Sequence, residues 1–151
     1  MQTFLPYPDF AATAAVLDGR RLGKQRVEAL QVLRALTVPG YGWRHHPVVK
    51  MWVGYLEGLV RYGLDICTAW TAGGRGDSVA GTLVAEYGQE PRDQAALAGA
   101  GELPPWLGRD DVHRSHRSSL LRKDPAFYRP LFGADLPDDL PYVWPLSDRL
   151  P

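Results

Sequence analysis

Apolar residues recur at helical spacing along most of this chain, and in one stretch polar residues are set among them. Val16, Val27, Leu30 and Leu33 line one face of a first long helix, predicted from about Ala12 to Leu36. On another arc of that helix, at about 100° per residue, fall Asp18, Arg21, Gln25 and Glu28, with Ala14, Ala29, Val32 and Leu36 sharing or bordering it. Two carboxylates, a guanidinium and an amide among small apolar side chains must satisfy one another or a ligand. The plainer alternative is that Asp18–Arg21 and Lys24–Glu28 are helix-surface pairs that contribute a few tenths of a kcal/mol each. Arg20, Lys24 and Gln31 lie further round, on a more polar side. Gly19 and Gly23 weaken the helix unless another element or a ligand approaches closely there.

Residues 1–11, with Phe4, Pro6, Tyr7, Pro8 and Phe10, read as an extended arm packed on the body. A turn at 38–42 and the run Trp43-Arg44-His45-His46-Pro47 lead into a second long helix, with Pro47 near its first turn. Its Trp52, Tyr55, Leu56, Leu59, Ile66, Cys67 and Trp70 read as core rather than as a base-stacking platform, and Gly54, Gly58 and Gly63 would admit a close neighbour. Asp77 or Ser78 caps a short helix to about Tyr87. Residues 88–109 read as a surface loop with at most one helical turn around Asp93–Leu97. Asp110 caps a helix carrying His113, His116, Leu120 and Leu121, followed by a turn at Ala126–Phe132 and an irregular tail packed by Tyr142 and Trp144. The class is all-α: a compact helical domain over residues 1–151, with two long helices, shorter helices and an irregular C-terminal tail.

Composition narrows the setting. A chain of 151 residues is long enough to bury a core without staples, and its single cysteine, Cys67, excludes an internal disulfide framework. No apolar run reaches the length of a membrane span, and the N-terminus lacks a signal-peptide pattern, so a cytoplasmic protein with no membrane partner is expected. Net charge is zero, but residues 1–50 carry seven Lys/Arg against three acids, and residues 110–123 add Arg114, Arg117, Arg122 and Lys123 against Asp110 and Asp111. Each segment also holds two of the four histidines. If the two meet in space they form one anion-binding face; otherwise they are two separate solvated surfaces.

Candidate chemistry follows from that face. His45, His46, His113, His116 and Cys67 lack the HExxH or paired CxxC spacing of a zinc site, so no metal and no cofactor is expected. No GxSxG elbow or phosphate-cradling glycine loop is present. A nucleic-acid site fits better: arginine and histidine donors fix phosphates while an acid and an amine do the covalent chemistry.

The order of motifs carries a resemblance. Met1-Gln2-Thr3-Phe4 with Tyr7-Pro8, then Leu22-Gly23-Lys24-Gln25-Arg26-Val27-Glu28, then Gly42-Trp43-Arg44-His45-His46-Pro47, resembles the pyrimidine-dimer DNA glycosylase family. His113-Arg114-Ser115-His116, followed by Leu121-Arg122-Lys123-Asp124-Pro125 and Tyr128, is similar to that family's C-terminal helix and its exit. His45 stands where members often carry Asn. The family's adjacent Arg-Glu pair is not kept, since Val27 precedes Glu28 and Arg26 is one place further back.

The resemblance implies a small helical DNA-repair enzyme. Such enzymes attack the sugar C1′ with an amine, release the base, and cleave the strand through a Schiff base. The attacking amine must be neutral, which suits an α-amino group, ordinarily near pKa 7.7–8.0, better than a lysine. In the family the amine is the one exposed when the initiator methionine is removed. Gln2 disfavours that removal, which leaves the amine of Met1, with Lys24 as the alternative. The acid falls on Glu28, with Asp18 as second candidate, and Arg21, Gln25 and Arg26 complete the expected catalytic group. Trp43, Arg44, His45, His46, His113, Arg114, His116 and Arg117 are the expected DNA contacts. The implied partner is double-stranded DNA with a damaged or modified base, bound by a monomer. Competing functions are a catalytically silent nucleic-acid-binding domain, a hydrolase or lyase of a small nucleotide-like substrate, and a purely structural helical domain.

Overall fold

The computed structural model describes residues 1–151 and contains eight helices and no strand. The predicted first long helix is two. α1 (Phe10–Val16) is capped by Asp9, whose carboxylate accepts from the Ala12 N–H, and ends at Leu17. α2 (Gly19–Thr37) starts afresh with Asp18 as its N-cap. The break corrects the expected continuous arc. Asp18 lies outside the helix, where a short acceptor side chain competes with helical backbone pairing and favours a cap. Val27, expected in the core, is 45% exposed, whereas Leu22, Ala29, Val32 and Leu33 are buried.

The second long helix is also divided. α3 (Pro47–Met51) is capped by His46, and α4 (Leu56–Ala72) follows a turn at Trp52–Tyr55. Gly54 in that turn has φ +80°, a conformation that a side chain opposes. α5 (Val79–Tyr87) is capped by the Asp77 carboxylate, which accepts from the Val79 and Ala80 N–H groups. α6 (Gln94–Gly99) is the short helical piece expected in the 88–109 loop, capped by Asp93. α7 (Asp110–Lys123) has acids in its first turn and Arg122 and Lys123 in its last, matching the helix dipole, although Asp110 is its first residue rather than its cap. α8 (Pro125–Phe132) follows directly.

The antiparallel layering centres on α2 against α4, with α1 and α5 on α4 and α8 on α7. Close approach is built in: Gly63 of α4 faces Ala29 of α2 and Leu83 of α5, and Gly23 of α2 faces the Trp70 ring. Trp52, Tyr55, Leu59, Ile66 and Cys67 belong to one contiguous apolar cluster of 28 buried residues, as the helical spacing predicts, while Leu56 and Trp70 are only partly buried, and Tyr62 and Trp106 join the core without having been expected there. No helix is long and apolar enough to cross a membrane.

The arm is the least helical and among the most buried parts of the fold. Gln2, Thr3, Phe4 and Leu5 are all 7% exposed or less, with no strand beside them to pair their backbone. Buried N–H and C=O groups need partners, and side chains supply them. The tail is fixed similarly: Ser115 Oγ of α7 accepts from Val143 N–H, and Ser118 Oγ accepts from Leu140 N–H and donates to the Pro137 carbonyl.

Candidate active site

The arm's backbone explains most of the polar arc on α2. Gln2 N–H donates to Glu28 Oε2 at 3.1 Å, and Phe4 N–H donates to Gln25 Oε1 at 2.8 Å. Gln25 Nε2 donates to the same Glu28 oxygen at 2.7 Å, and the Tyr62 hydroxyl lies between the Phe4 carbonyl and Gln25 Oε1. Of the polar groups expected to satisfy one another or a ligand, Gln25 and Glu28 bond each other and the chain's own N-terminus.

α7 supplies the next pair. His116 Nδ1 accepts from Leu5 N–H at 2.9 Å, and His113 Nδ1 donates to the Leu5 carbonyl at 2.8 Å while its Nε2 accepts from Gly108 N–H. Both imidazoles are buried, at 2% and 0% exposure, which corrects the expectation that they contact DNA. Burial, and then the neighbouring His113, push the His116 pKa down to about 3, so the ring is neutral. Arg117 is likewise turned inward, donating to the Pro6 carbonyl, while Arg114 is exposed.

With the arm in place, a cleft of about 330 Å³ opens at the end of the molecule where Met1 emerges. Glu28 lies on its floor, 7% exposed, with Gln25 beside it. Its Oε1 is 3.6 Å from Lys24 Nζ. Arg20, Arg21 and Lys24 from α2 and Lys123 from the end of α7 line the walls, so the two basic segments do meet, through Lys123 and not through the histidines. Burial, followed by the charges of Arg21, Arg122 and Lys24, holds the Lys123 amine below its usual range, while Glu28 opposes that shift. Met1, Gln2, Phe4 and Tyr142 complete the lining. One buried carboxylate among several cations and a terminal amine makes a site for an anionic ligand with a cationic centre.

His46 is not part of the cleft lining. Its Nδ1 accepts from Val48 N–H as the cap of α3, and its ring is edge-on to both Trp43 and Trp144 at 5.9 Å. Burial, followed by the positive charge of the Met1 amine, lowers its pKa, with Glu28 pulling the other way. Trp43, Arg44 and His45 are exposed on the preceding loop.

Two other expected site residues are engaged elsewhere. Asp18 does not line the cleft: its carboxylate accepts from Arg21 and from the Tyr128 hydroxyl, and its N–H donates to that hydroxyl at 2.9 Å. Burial alone would raise its pKa, but the hydrogen bonds from Tyr128 and Arg21 outweigh burial and leave it lowered. Asp18 therefore caps α2 and ties it to α8. Arg26 points away, paired with Asp77 and stacked 4.3 Å over the Trp70 ring. Gln2, Phe4, Arg20, Lys123 and Tyr142 are the cleft residues that the sequence did not assign to the site; Gln2 and Phe4 fall in the N-terminal motif, and Arg20 and Lys123 in the two basic segments. No group of three or more His, Cys, Asp or Glu is arranged to hold a metal ion.

The family model for pyrimidine dimer DNA glycosylases matches residues 1–79, which takes in the arm, α1 to α4 and the cleft residues Met1, Lys24, Gln25 and Glu28. No curated protein and no solved structure matches the chain. The match spans more than half of the 151 residues, and the chain belongs to the pyrimidine dimer DNA glycosylase family.

Proposed function

We propose that this glycosylase uses an N-terminal amine to attack C1′ of a damaged nucleotide in duplex DNA, and that it also cleaves the abasic strand. The observation that carries the reading is the bond from Gln2 N–H to Glu28, which anchors the terminus beside the buried acid of a cationic cleft. The amine lone pair forms the C1′–N bond as the N-glycosidic bond breaks; that bond's electron pair leaves with the base, which takes up a proton. Loss of the amine proton and opening of the sugar ring give an iminium. Removal of a C2′ proton then expels the 3′-phosphate by β-elimination, and water hydrolyses the Schiff base to regenerate the amine.

Glu28 stabilises the cationic sugar and iminium. Met1 is the favoured nucleophile, because Lys24 is an exposed side chain paired with Glu28. Removal of Met1 would leave the amine on the Gln2 nitrogen, 3.1 Å from Glu28 Oε2. Arg20, Arg21 and Lys123 take the phosphates around the extruded nucleotide, and Arg44, His45 and Trp43 meet the duplex from the adjoining loop. Residues 1–151 act as one helical domain, a reading supported by the single contiguous core.

The test is incubation with duplex DNA carrying a pyrimidine dimer or an abasic site in the presence of borohydride. A covalent adduct mapped by peptide mass to Met1, Gln2 or Lys24 identifies the amine. Glu28→Gln is expected to lower single-turnover base release at least about 100-fold, the scale of losing one transition-state charge contact, while leaving DNA binding in place. Binding with neither adduct nor cleavage would instead favour a silent DNA-binding domain.

A further inference from the structure

Trp70, near the end of α4, carries a guanidinium on its ring from two different arginines. Arg26 and Arg75 both lie 4.3 Å from the ring centroid. Arg26 is neutralised by Asp77. Arg75 is exposed and has no carboxylate partner. The guanidinium also presses on the first turn of α2, so that a methyl group on Gly19 would come within 2.9 Å of its Nη2. The glycine-rich turn at 73–76 thus returns Arg75 to the helix that walls the cleft, and the missing side chain at Gly19 is what admits it.

Arg26 and Arg75 differ in charge balance, since Arg26 pairs with Asp77 and Arg75 brings a charge with no carboxylate beside it. Placing an unpaired cation on the ring that Arg26 also stacks on raises the local positive potential, and an anion relieves it. Stacking also fixes the guanidinium plane before any ligand arrives, which lowers the entropy lost on binding. At about 100° per residue, Arg20 and Lys24 lie roughly 100° and 140° round α2 from Gly19. The curve of a helix about 10–12 Å across therefore lies between Arg75 and the cleft, about two to three nucleotides at 3.4 Å each.

We propose that Arg75 is a backbone-phosphate contact for the DNA strand as it leaves the cleft and crosses the Arg20 ridge of α2. The ligand is a phosphodiester of duplex DNA, and the proposal rests on the DNA-repair reading above. Arg75 positions the strand and takes no part in the chemistry.

The experiment compares wild type, Arg75→Gln, Arg75→Glu and Arg92→Gln in binding to one undamaged duplex, from about 50 to about 200 mM salt. Arg92 pairs with Glu57, about 20 Å along α4 from Trp70, and controls for net charge. The slope of log affinity against log salt is expected to fall by about 0.9 in Arg75→Gln and further in Arg75→Glu, with Arg92→Gln unchanged. Affinity at low salt is expected to drop about tenfold in Arg75→Gln, the scale of one charge-assisted hydrogen bond. A wild-type slope in both Arg75 variants, or an equal fall in Arg92→Gln, overturns the proposal. Wild-type protein that binds no DNA overturns the DNA reading itself, and this assignment with it.

Discussion

His113 and His116 hold the two sides of one peptide residue, the first donating to the Leu5 carbonyl and the second accepting from the Leu5 N–H. This division requires both rings to be neutral, and burial lowers the pKa of each. For His116 the sign follows from a folded pKa of about 3 against an ordinary value of 6.5. Its contribution is fully present above pH 6.5 and is lost as pH falls toward 3, at up to about 1.4 kcal/mol per pH unit. Urea unfolding at pH 7.5 and 5.0 should therefore show a lower midpoint at the acidic value. His116→Asn, whose amide oxygen can accept from Leu5 N–H without a proton to gain, should flatten that dependence. An equally steep profile in the variant would count against the assignment. The sequence marked both histidines as important but not as internal, because helical spacing placed them on one face without saying what that face met.

Among the elements, α2, α4 and α5 depend on glycine in two opposite ways. At Gly63 a methyl group would sit 2.8 Å from Leu83 Cδ1 and 3.1 Å from Ala29 Cβ, both of them fully buried. At Gly81 the same methyl group meets nothing. Gly63→Ala is expected to destabilise by about 1–2 kcal/mol, overpacking outweighing the gain in helix propensity. Gly81→Ala should stabilise by about 0.5–1 kcal/mol. Denaturant midpoints of the two variants moving in the same direction would contradict this. Element existence was largely legible here: the α5 cap at Asp77, the short α6 behind Asp93 and the α7 stop before Pro125 all follow from local chemistry. The breaks at Leu17-Asp18 and Trp52–Tyr55 were not, because hydrophobic periodicity runs through a break that only a cap or a turn reveals.

At the scale of the whole molecule, the tail ties the turn between α3 and α4 from outside. Ser147 Oγ donates to the Val53 carbonyl, Asp148 accepts from the Tyr55 hydroxyl, and Arg149 donates to the Gly54 carbonyl and pairs with Glu102. None of these residues lines the cleft. Removing residues 145–151 is expected to lower stability by about 1–4 kcal/mol, a few hydrogen bonds at roughly 0.5–1.5 each, with DNA binding retained at a temperature where the chain stays folded. Binding lost in step with the deletion, on protein that a melting curve shows to be folded, would mean that the tail also reaches the DNA.

By itself the sequence determined the helical class, most caps and stops, the presence of two basic segments and the family, because propensity, capping and motif order are local properties of the chain. Tertiary structure alone decided which polar residues line the cleft. His113 and His116 serve an extended arm whose buried backbone has no strand to pair with, Asp18 caps α2 and Arg26 pairs with Asp77, while Gln25 bonds the arm from within the cleft lining. Glu28 remained at the floor of a cleft, with Lys123 brought beside Arg20, Arg21 and Lys24 from about a hundred residues away. A buried backbone needs partners wherever it lies, and which side chains provide them is set by packing across the fold.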